Sequence, residues 1–467
     1  MNRIISAAVA TLSFLSVTSC SPQTASINGH LEEASQKTVL LRSARVFDPR
    51  IDDFRGPWDI LIKNDRIQTV GSDLKPSHGT CVIDCSGKYA LPGLFDCHTH
   101  LAHLAANDDV ERRAKLADFV RRGVMQVRDV GGPIDVLADL KRRIKSGEIV
   151  GPELFYTGPL LEGSPLTHGH MNETLPGITV AVDSVEDVDR ILPELARNGA
   201  CMIKTFGHID KAVYRHIVEV APQYSLRIVH DPGMPLFHAI PMDEALELGV
   251  TSIEHAKAPW PVVLTETLQE EHDTLLAPET SPMTQMMFMS RTAKLGVDSV
   301  SLERLRRLAD RMFEKNAYLC PTLVVLDSME AMAIAQTKKQ LNLEELPPPI
   351  LTGLRQNTAG MEAVSRLFVS EFAQRGVRML VGQDGVDPAG VFAEMRWMHK
   401  CGVSNVEVLK GATIYPAQWL GVDDRLGSID PGKQANLLIV NGNPLEDLAK
   451  MEDVFMAIQH GQPVGTQ

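Results

Sequence analysis

The chain has 467 residues, of which 44% are hydrophobic and 22% are charged, a composition that excludes a disordered or fibrous protein. Its 59 acidic and 46 basic side chains give a formal net charge of −13. Because no cluster of Lys and Arg offsets this acidic balance, we exclude nucleic acid as a partner and expect a small neutral or cationic molecule as the ligand.

The N-terminal segment has the pattern of a secretion signal. Arg3 precedes an apolar stretch over residues 4–17, which is too short to span a bilayer comfortably. It leads into Val-Thr-Ser-Cys ending at Cys20, which resembles a bacterial lipobox. We therefore predict a lipoprotein signal peptide over residues 1–19, lipidation of Cys20 and a flexible tether over residues 20–37. The alternative is an ordinary secretion signal with an incidental cysteine.

This segment also predicts where the protein acts. Ser21, and not Asp, follows Cys20, a sequence that resembles an outer-membrane sorting signal. We expect export across the inner membrane, a lipid anchor in the bacterial envelope, and a folded body that faces the periplasm or the outside. The remaining six cysteines mostly lie in apolar runs, which favours buried thiols over a structural zinc site.

The rest of the chain predicts an α/β protein of two parts. Short strands with turn signals between them indicate a small sheet over residues 38–92. Eight apolar runs then alternate with amphipathic helices, and this alternation predicts a (β/α)8 TIM-like barrel over residues 93–426. The predicted barrel strands are residues 94–97, 124–128, 153–157, 201–205, 227–230, 251–255, 318–326 and 378–382.

Further segments complete this layout. Three predicted helices begin with capping-box patterns, at Ser184, Ser301 and Ser404. Insertions at residues 260–300 and 327–370 exceed ordinary loop lengths and are typical of lids or of subunit contacts in a homo-oligomer. Residues 427–462 contain apolar strands, which we expect to join residues 38–92 in a composite β-sandwich because neither segment alone can bury a face.

Potential metal ligands follow several of the predicted barrel strands. His98 and His100 are two residues apart at the end of the first strand, so both imidazoles can reach one ion. His230, His255 and Asp384 follow later strands. Because the carboxyl ends of barrel strands meet at one mouth, this set predicts a site for one or two divalent ions such as zinc.

Lys204 lies within the apolar run Cys-Met-Ile-Lys-Thr-Phe of the fourth strand. A bare ammonium is costly to desolvate there, unless the side chain reaches the surface. Reaction with carbon dioxide would convert the lysine into an anionic carbamate that can bridge two cations.

Six motifs occur in an order that resembles the amidohydrolase superfamily. They are Pro-Gly-Leu-Phe-Asp-Cys-His-Thr-His ending at His100, Val-Arg-Asp-Val-Gly-Gly from Val127, Ile-Lys-Thr-Phe around Lys204, Ile-Glu-His-Ala around His255, Cys-Pro-Thr-Leu from Cys320, and the tail motifs from Gly411 to Leu445. The resemblance covers roughly residues 38–460 and is strongest to the branch of imidazolonepropionase and the prolidase-like Xaa-Pro and Xaa-Arg dipeptidases.

The resemblance implies a binuclear centre. His98, His100 and Asp384 would bind one metal and His230 and His255 the other. Carboxylated Lys204 and a hydroxide would bridge the two ions. Asp384 would also take the proton of the attacking hydroxide and pass it to the leaving group.

The chain departs from this pattern at several positions. Gln383 and Gly385 flank Asp384 in place of the Thr or Ser and the Ala of many members. His230 is followed by Asp-Pro-Gly, which leaves His238 as a rival ligand. His168 and His170 resemble a substrate-facing loop of the branch, and a solvated turn is the alternative.

The expected activity is hydrolysis of an amide-type C–N bond in a dipeptide or an N-acyl amino acid. One alternative is hydrolysis of a cyclic amide, a carbamate or a urea by the same centre. An alternative of another class is a metal-binding envelope lipoprotein without catalysis. Deamination is disfavoured because the sequence after His230 lacks the Glu of the mononuclear deaminases.

Overall fold

The computed structural model describes residues 38–465 except 107, 234–238 and 278–279. The predicted signal peptide, Cys20, the tether and the rival ligand His238 lie outside the described residues. Among the described residues, no helix is both long and apolar enough to span a membrane.

Eighteen strands are formed by the described residues. In chain order they are β1 (Thr38–Asp48), β2 (Asp53–Lys63), β3 (Arg66–Gly71), β4 (Cys81–Asp84), β5 (Tyr89–Pro92), β6 (Leu94–Thr99), β7 (Val124–Asp129), β8 (Glu153–Tyr156), β9 (Leu160–Glu162), β10 (Thr179–Ala181), β11 (Met202–Thr205), β12 (Arg227–His230), β13 (Ser252–Glu254), β14 (Tyr318–Cys320), β15 (Arg378–Met379), β16 (Leu437–Val440), β17 (Val454–Gln459) and β18 (Gln462–Pro463).

Thirteen α-helices connect or cover these strands. They are α1 (Asp109–Arg121), α2 (Ile134–Lys145), α3 (Val185–Arg197), α4 (Lys211–Val220), α5 (Met242–Glu247), α6 (Glu266–Leu275), α7 (Pro282–Leu295), α8 (Leu302–Glu314), α9 (Leu326–Leu341), α10 (Pro348–Gln374), α11 (Ala389–Lys400), α12 (Asn405–Gly411) and α13 (Ile414–Leu420). The hydroxyls of Ser184, Ser301 and Ser404 accept hydrogen bonds from the backbone three residues on, as the capping-box patterns predict.

One curled sheet unites the two ends of the described chain. Its strand order is β18-β17-β16-β5-β1-β2-β3, with β4 paired beside β1. The join is the antiparallel pairing of β5 with β16, in which Leu91 faces Leu438. Apolar residues from both segments, such as Ile60 and Ile439, share one buried cluster. The predicted composite β-domain is confirmed.

The predicted eight-stranded barrel is also confirmed. Parallel strands β6 to β8 form one arc and β11 to β15 form the other, and these eight are the predicted barrel strands. The short strand β9, which follows β8 in the chain, pairs beside β11 at the edge of the second arc. The arcs are joined where the Cys201 amide donates to the Tyr156 carbonyl at 3.2 Å and the Cys97 amide donates to the Val381 carbonyl at 2.8 Å. Helices cover the outside through a large apolar core, so the barrel presents the carboxyl ends of its strands at one mouth.

Two predicted strands were too long. The prediction for residues 318–326 is wrong beyond Cys320, because the chain turns at Thr322, whose φ is 50°, and α9 begins at Leu326. The last barrel strand ends at Met379 instead of residue 382. In both places buried apolar residues, such as Leu323 and Leu380, continue past the end of the strand, and an apolar run alone does not show where a strand ends.

The two insertions are largely helical. Residues 260–300 contain α6 and α7, and residues 327–370 belong to α9 and α10. Pro347 is the N-cap of α10, so the run of three prolines forms the start of this helix. The six described cysteines are free thiols, of which Cys85, Cys97, Cys320 and Cys401 are buried.

Candidate metal centre

A cavity of about 610 Å³ opens at the carboxyl ends of the barrel strands. Five of the six predicted metal ligands line it, namely His98, His100, Lys204, His255 and Asp384. Residues far apart in sequence therefore meet in one place, as the motif order predicts. The positions of Asp384 and His255 are conformationally demanding, because their φ angles are 56° and 69°. Such strained backbone concentrates at functional sites.

The first two histidines are oriented by partners behind them. Nδ1 of His98 lies 2.6 Å from Oε2 of the buried Glu254, and Nδ1 of His100 lies 3.2 Å from the Gly131 carbonyl. Their Nε2 atoms lie 3.5 and 3.2 Å from Oδ1 of Asp384. Both rings thus direct Nε2 toward the same carboxylate, and a fixed Nδ1 is how metal-binding histidines are usually held.

His255, whose ring centroid lies 4.9 Å from that of His98, is held in the same way. Its Nδ1 lies 2.8 Å from the Thr322 hydroxyl, and its Nε2 lies 2.9 Å from Oδ2 of Asp231. The ammonium of Lys204 is 3.3 Å from the same Asp231 oxygen, and both side chains are only 4% exposed. Lys204 therefore does not reach the surface, which removes the alternative reading of its apolar strand.

The surroundings of Asp384 and His98 shift the pKa values of both side chains. Burial acts to raise the pKa of Asp384, but the imidazoles of His98, His100 and His255 outweigh it and hold that pKa well below its usual value. Burial lowers the pKa of His98 to about 4, which favours the neutral ring. Neutral imidazoles and ionised carboxylates are the protonation states that bind a cation.

The structure does not bring His230 into this cluster. Its Nδ1 lies 3.0 Å from the Thr205 hydroxyl and 3.1 Å from the Tyr214 hydroxyl, and its Nε2 lies 2.9 Å from the Ile240 carbonyl. His230 is fully buried, and it is absent from the lining of the cavity. Its predicted role as a ligand receives no support from this arrangement.

Asp231 occupies the place expected for His230. Side chains alternate along a strand, so Asp231 shares the face of Val229, which packs inside the barrel. His230 instead shares the face of Ile228 and meets Tyr214 of α4. Counting this alternation through Arg-Ile-Val-His-Asp is the signal that would have identified Asp231 from sequence.

The two histidines of the predicted substrate loop lie in different environments. His168 lines the cavity, and its Nδ1 forms a short hydrogen bond with the buried Glu162. His170 is exposed and does not contribute to the lining. Only His168 is therefore placed to contact a molecule in the cavity.

A buried ion pair fixes the carboxylate that orients His98. Nη2 of Arg128 lies 2.6 Å from Oε1 of Glu254, and both side chains are completely buried. Burial acts to raise the pKa of Glu254, but Arg128 outweighs it and lowers that pKa to about 2. The carboxylate that orients His98 therefore stays ionised. Sequence spacing could not reveal this partner, because Glu254 lies 156 residues from His98.

Replacing Arg128 by methionine should lower the free energy of unfolding by about 3–5 kcal/mol, because Glu254 would keep a buried charge without its partner. Urea denaturation would measure this loss. Arg190→Met removes an exposed partner of Asp187 and should cost at most about 1 kcal/mol. Equal losses in the two variants would contradict the role of the buried pair.

The cluster fits a divalent metal ion. Ligand atoms of His98, His100 and Asp384 all lie within 4.8 Å of one another. Nε2 of His98 is buried and lacks a hydrogen-bond partner among the described residues, an unusual state for a buried nitrogen. A cation bound there would satisfy this nitrogen together with His100 and Asp384. Imidazole and carboxylate ligands suit zinc and related ions.

Comparison with known proteins gives a consistent result. Residues 292–464 match the model of the amidohydrolase family. A dihydroorotase of Trichlorobacter lovleyi is 42% identical over 65 residues, which are 14% of this chain and 15% of that protein. The chain thus aligns with only a small part of this curated relative.

Solved structures resemble nearly the whole chain. A prolidase complexed with N-methylphosphonate-L-proline has a TM-score of 0.68 at 22% identity, over 92% of this chain and 100% of the other. A Xaa-Pro dipeptidase with bound methionine has a TM-score of 0.66 at 20% identity, over 91% and 99%. At this identity the likeness establishes the fold. The family match over residues 292–464 agrees with the resemblance predicted from the sequence motifs.

Proposed function

We propose that this chain is a member of the amidohydrolase superfamily and a metal-dependent hydrolase of amide-type C–N bonds. One observation carries the proposal: His98, His100 and His255 each have Nδ1 fixed from behind and Nε2 directed at a carboxylate in one cavity. Such preorganised ligand sets are built for metal binding and have no need of a nucleophilic side chain.

Two divalent ions, which we propose to be zinc, would be held by two sets of residues. His98, His100 and Asp384 would form one set, and Lys204, His255 and Asp231 the other, with Lys204 carboxylated by carbon dioxide so that its carbamate would help to hold both ions. When bound, the ions would lower the pKa of water and polarise the scissile carbonyl.

The side chains in and around this cavity would then have separate roles in the reaction. Asp384 would accept the proton of the attacking water and pass it to the departing nitrogen, since its low pKa keeps it ionised at neutral pH. Glu254 and Thr322 would hold His98 and His255 in position. His168, fixed by Glu162, would contact the substrate from the cavity wall.

We further propose that the substrate is a dipeptide or an N-acyl amino acid, because the solved structures with this fold include a prolidase and a Xaa-Pro dipeptidase. A hydrolysis screen with metal-loaded protein would test this. Dipeptides and N-acyl amino acids should be cleaved, while lactams, carbamates and ureas should not. Cleavage of only the second group would shift the proposal to the cyclic amide, carbamate or urea alternative.

We also propose that lipidated Cys20 anchors the protein in the bacterial envelope, since Cys20 ends a lipobox-like sequence. In a bacterial host, the wild-type protein should partition with membranes and incorporate labelled palmitate, because an acylated protein with several chains binds firmly. Cys20→Ser should do neither. If both proteins are equally soluble and unlabelled, the segment is an ordinary secretion signal.

A further inference from the structure

The cavity contains one cation that the proposed metal centre does not use. Lys257 lines the cavity two residues after His255. Among the described residues, no side chain forms a hydrogen bond or an ion pair with its ammonium. The positive charge of Lys257 contributes to lowering the pKa of Asp231. The close partners of Asp231 are nevertheless His255 and Lys204, at 2.9 and 3.3 Å. No described side chain therefore neutralises Lys257, and its ammonium can meet an anionic group of a bound molecule.

The outer part of the same cavity has an apolar wall rich in methionine. Leu326, Met329 and Met332 line it from α9, and Met361 lines it from α10. The spacing of the α9 residues places them on one helix face. Met332 is 65% exposed, although its side chain is large and apolar. Flexible, polarizable methionine side chains adapt to apolar ligands of varied shape.

These two features define the kind of molecule that fits. A carboxylate near Lys257 would form a charge-assisted hydrogen bond in a partly desolvated cavity. An apolar chain along α9 would cover Met329 and Met332 and remove their surface from water. A neutral lactam, urea or carbamate offers Lys257 no negative charge, so only an uncharged hydrogen bond could form.

We propose that Lys257 binds the free carboxylate of an N-acyl amino acid and that the α9 methionine face receives its extended apolar acyl group. The inference rests on the proposed function and narrows it to amphipathic amides that carry one negative charge. Lys257 is thus a specificity-determining residue of the site.

The test compares N-octanoyl-L-phenylalanine with its C-terminal carboxamide and with N-acetyl-L-phenylalanine. The wild-type enzyme should prefer the octanoyl acid over both. In Lys257→Met, the preference for the acid over the carboxamide should fall by roughly 10- to 100-fold, mainly through KM, because a hydrogen bond to a charged group is lost. Lys257→Arg should keep most of the preference.

Lys339→Met is the matched control, because Lys339 is an exposed lysine of α9 outside the cavity lining; this variant should keep the wild-type preference. The proposal would be overturned if Lys257→Met kept the wild-type preference, or if the variant lost activity equally on the acid and on the carboxamide. A wild-type enzyme that does not favour the octanoyl acid would also overturn it.

Calorimetric binding of N-octanoyl-L-phenylalanine separates this inference from the proposed function. If none of the three amides is cleaved, the proposed hydrolysis of such amides is rejected. The role of Lys257 is still supported if the wild-type protein binds the acid and this binding weakens in Lys257→Met but not in Lys339→Met. If the wild-type protein neither cleaves nor binds the acid, the role of Lys257 is wrong as well.

Discussion

Asp384→Asn should lower kcat by about 10²–10⁴-fold while the protein keeps much of its bound metal. The amide can still coordinate an ion weakly, but it cannot accept the proton of the attacking water. The geometry supports this separation, because Asp384 contacts both His98 and His100 and is 25% exposed toward the cavity. Steady-state kinetics and elemental analysis of the same preparation would measure the two effects.

Asp387→Asn provides the matched control for this variant. Asp387 lies three residues away, is exposed and does not line the cavity. Its replacement should preserve the rate and the metal content. Near-normal turnover in Asp384→Asn would rule out its role in proton transfer. Loss of all metal would show that it acts mainly as a ligand.

Lys204→Ala should lower metal content and activity together. Lys204 is buried beside Asp231 and His255, and a carbamate on its nitrogen would help to hold both ions. Removing a ligand to both ions should reduce metal content from about two ions per chain to well below one, with a parallel loss of rate. Elemental analysis of protein prepared with bicarbonate would measure the content.

The control for this variant is Lys211→Ala. Lys211 is 64% exposed and pairs with Glu244 on the barrel surface, so its loss should affect neither metal content nor rate. Full double occupancy in Lys204→Ala would remove Lys204 from the site.

The fold was predictable because its signals are local and repeated. Apolar runs alternate with capped helices, and three of the caps form as predicted, at Ser184, Ser301 and Ser404. The meeting of the two terminal segments followed from a simple requirement, since each segment has too few strands to bury a face alone. The strand ends at residues 320 and 379 were missed because buried apolar residues continue the same pattern past both ends.

The site was predictable only in part. Residues that end strands, such as His98 and Asp384, could be located because strand ends converge in a barrel. Whether His230 or Asp231 faces the cavity depends on which face of β12 points inward. A shift of one residue along the strand exchanges the two faces. Glu254 and Thr322 orient their histidines across distances of 156 and 67 residues in sequence. No local pattern records such contacts.

A metal titration of the metal-free protein tests the central claim most directly. Zinc would be added stepwise in bicarbonate buffer, and the rate of hydrolysis of a substrate found in the screen would be recorded at each step. The rate should rise with occupancy from near zero and saturate at about two ions per chain. Full activity in protein that contains no divalent metal, or a rate that does not respond to metal while His98, His100 and His255 bind it, would contradict the account.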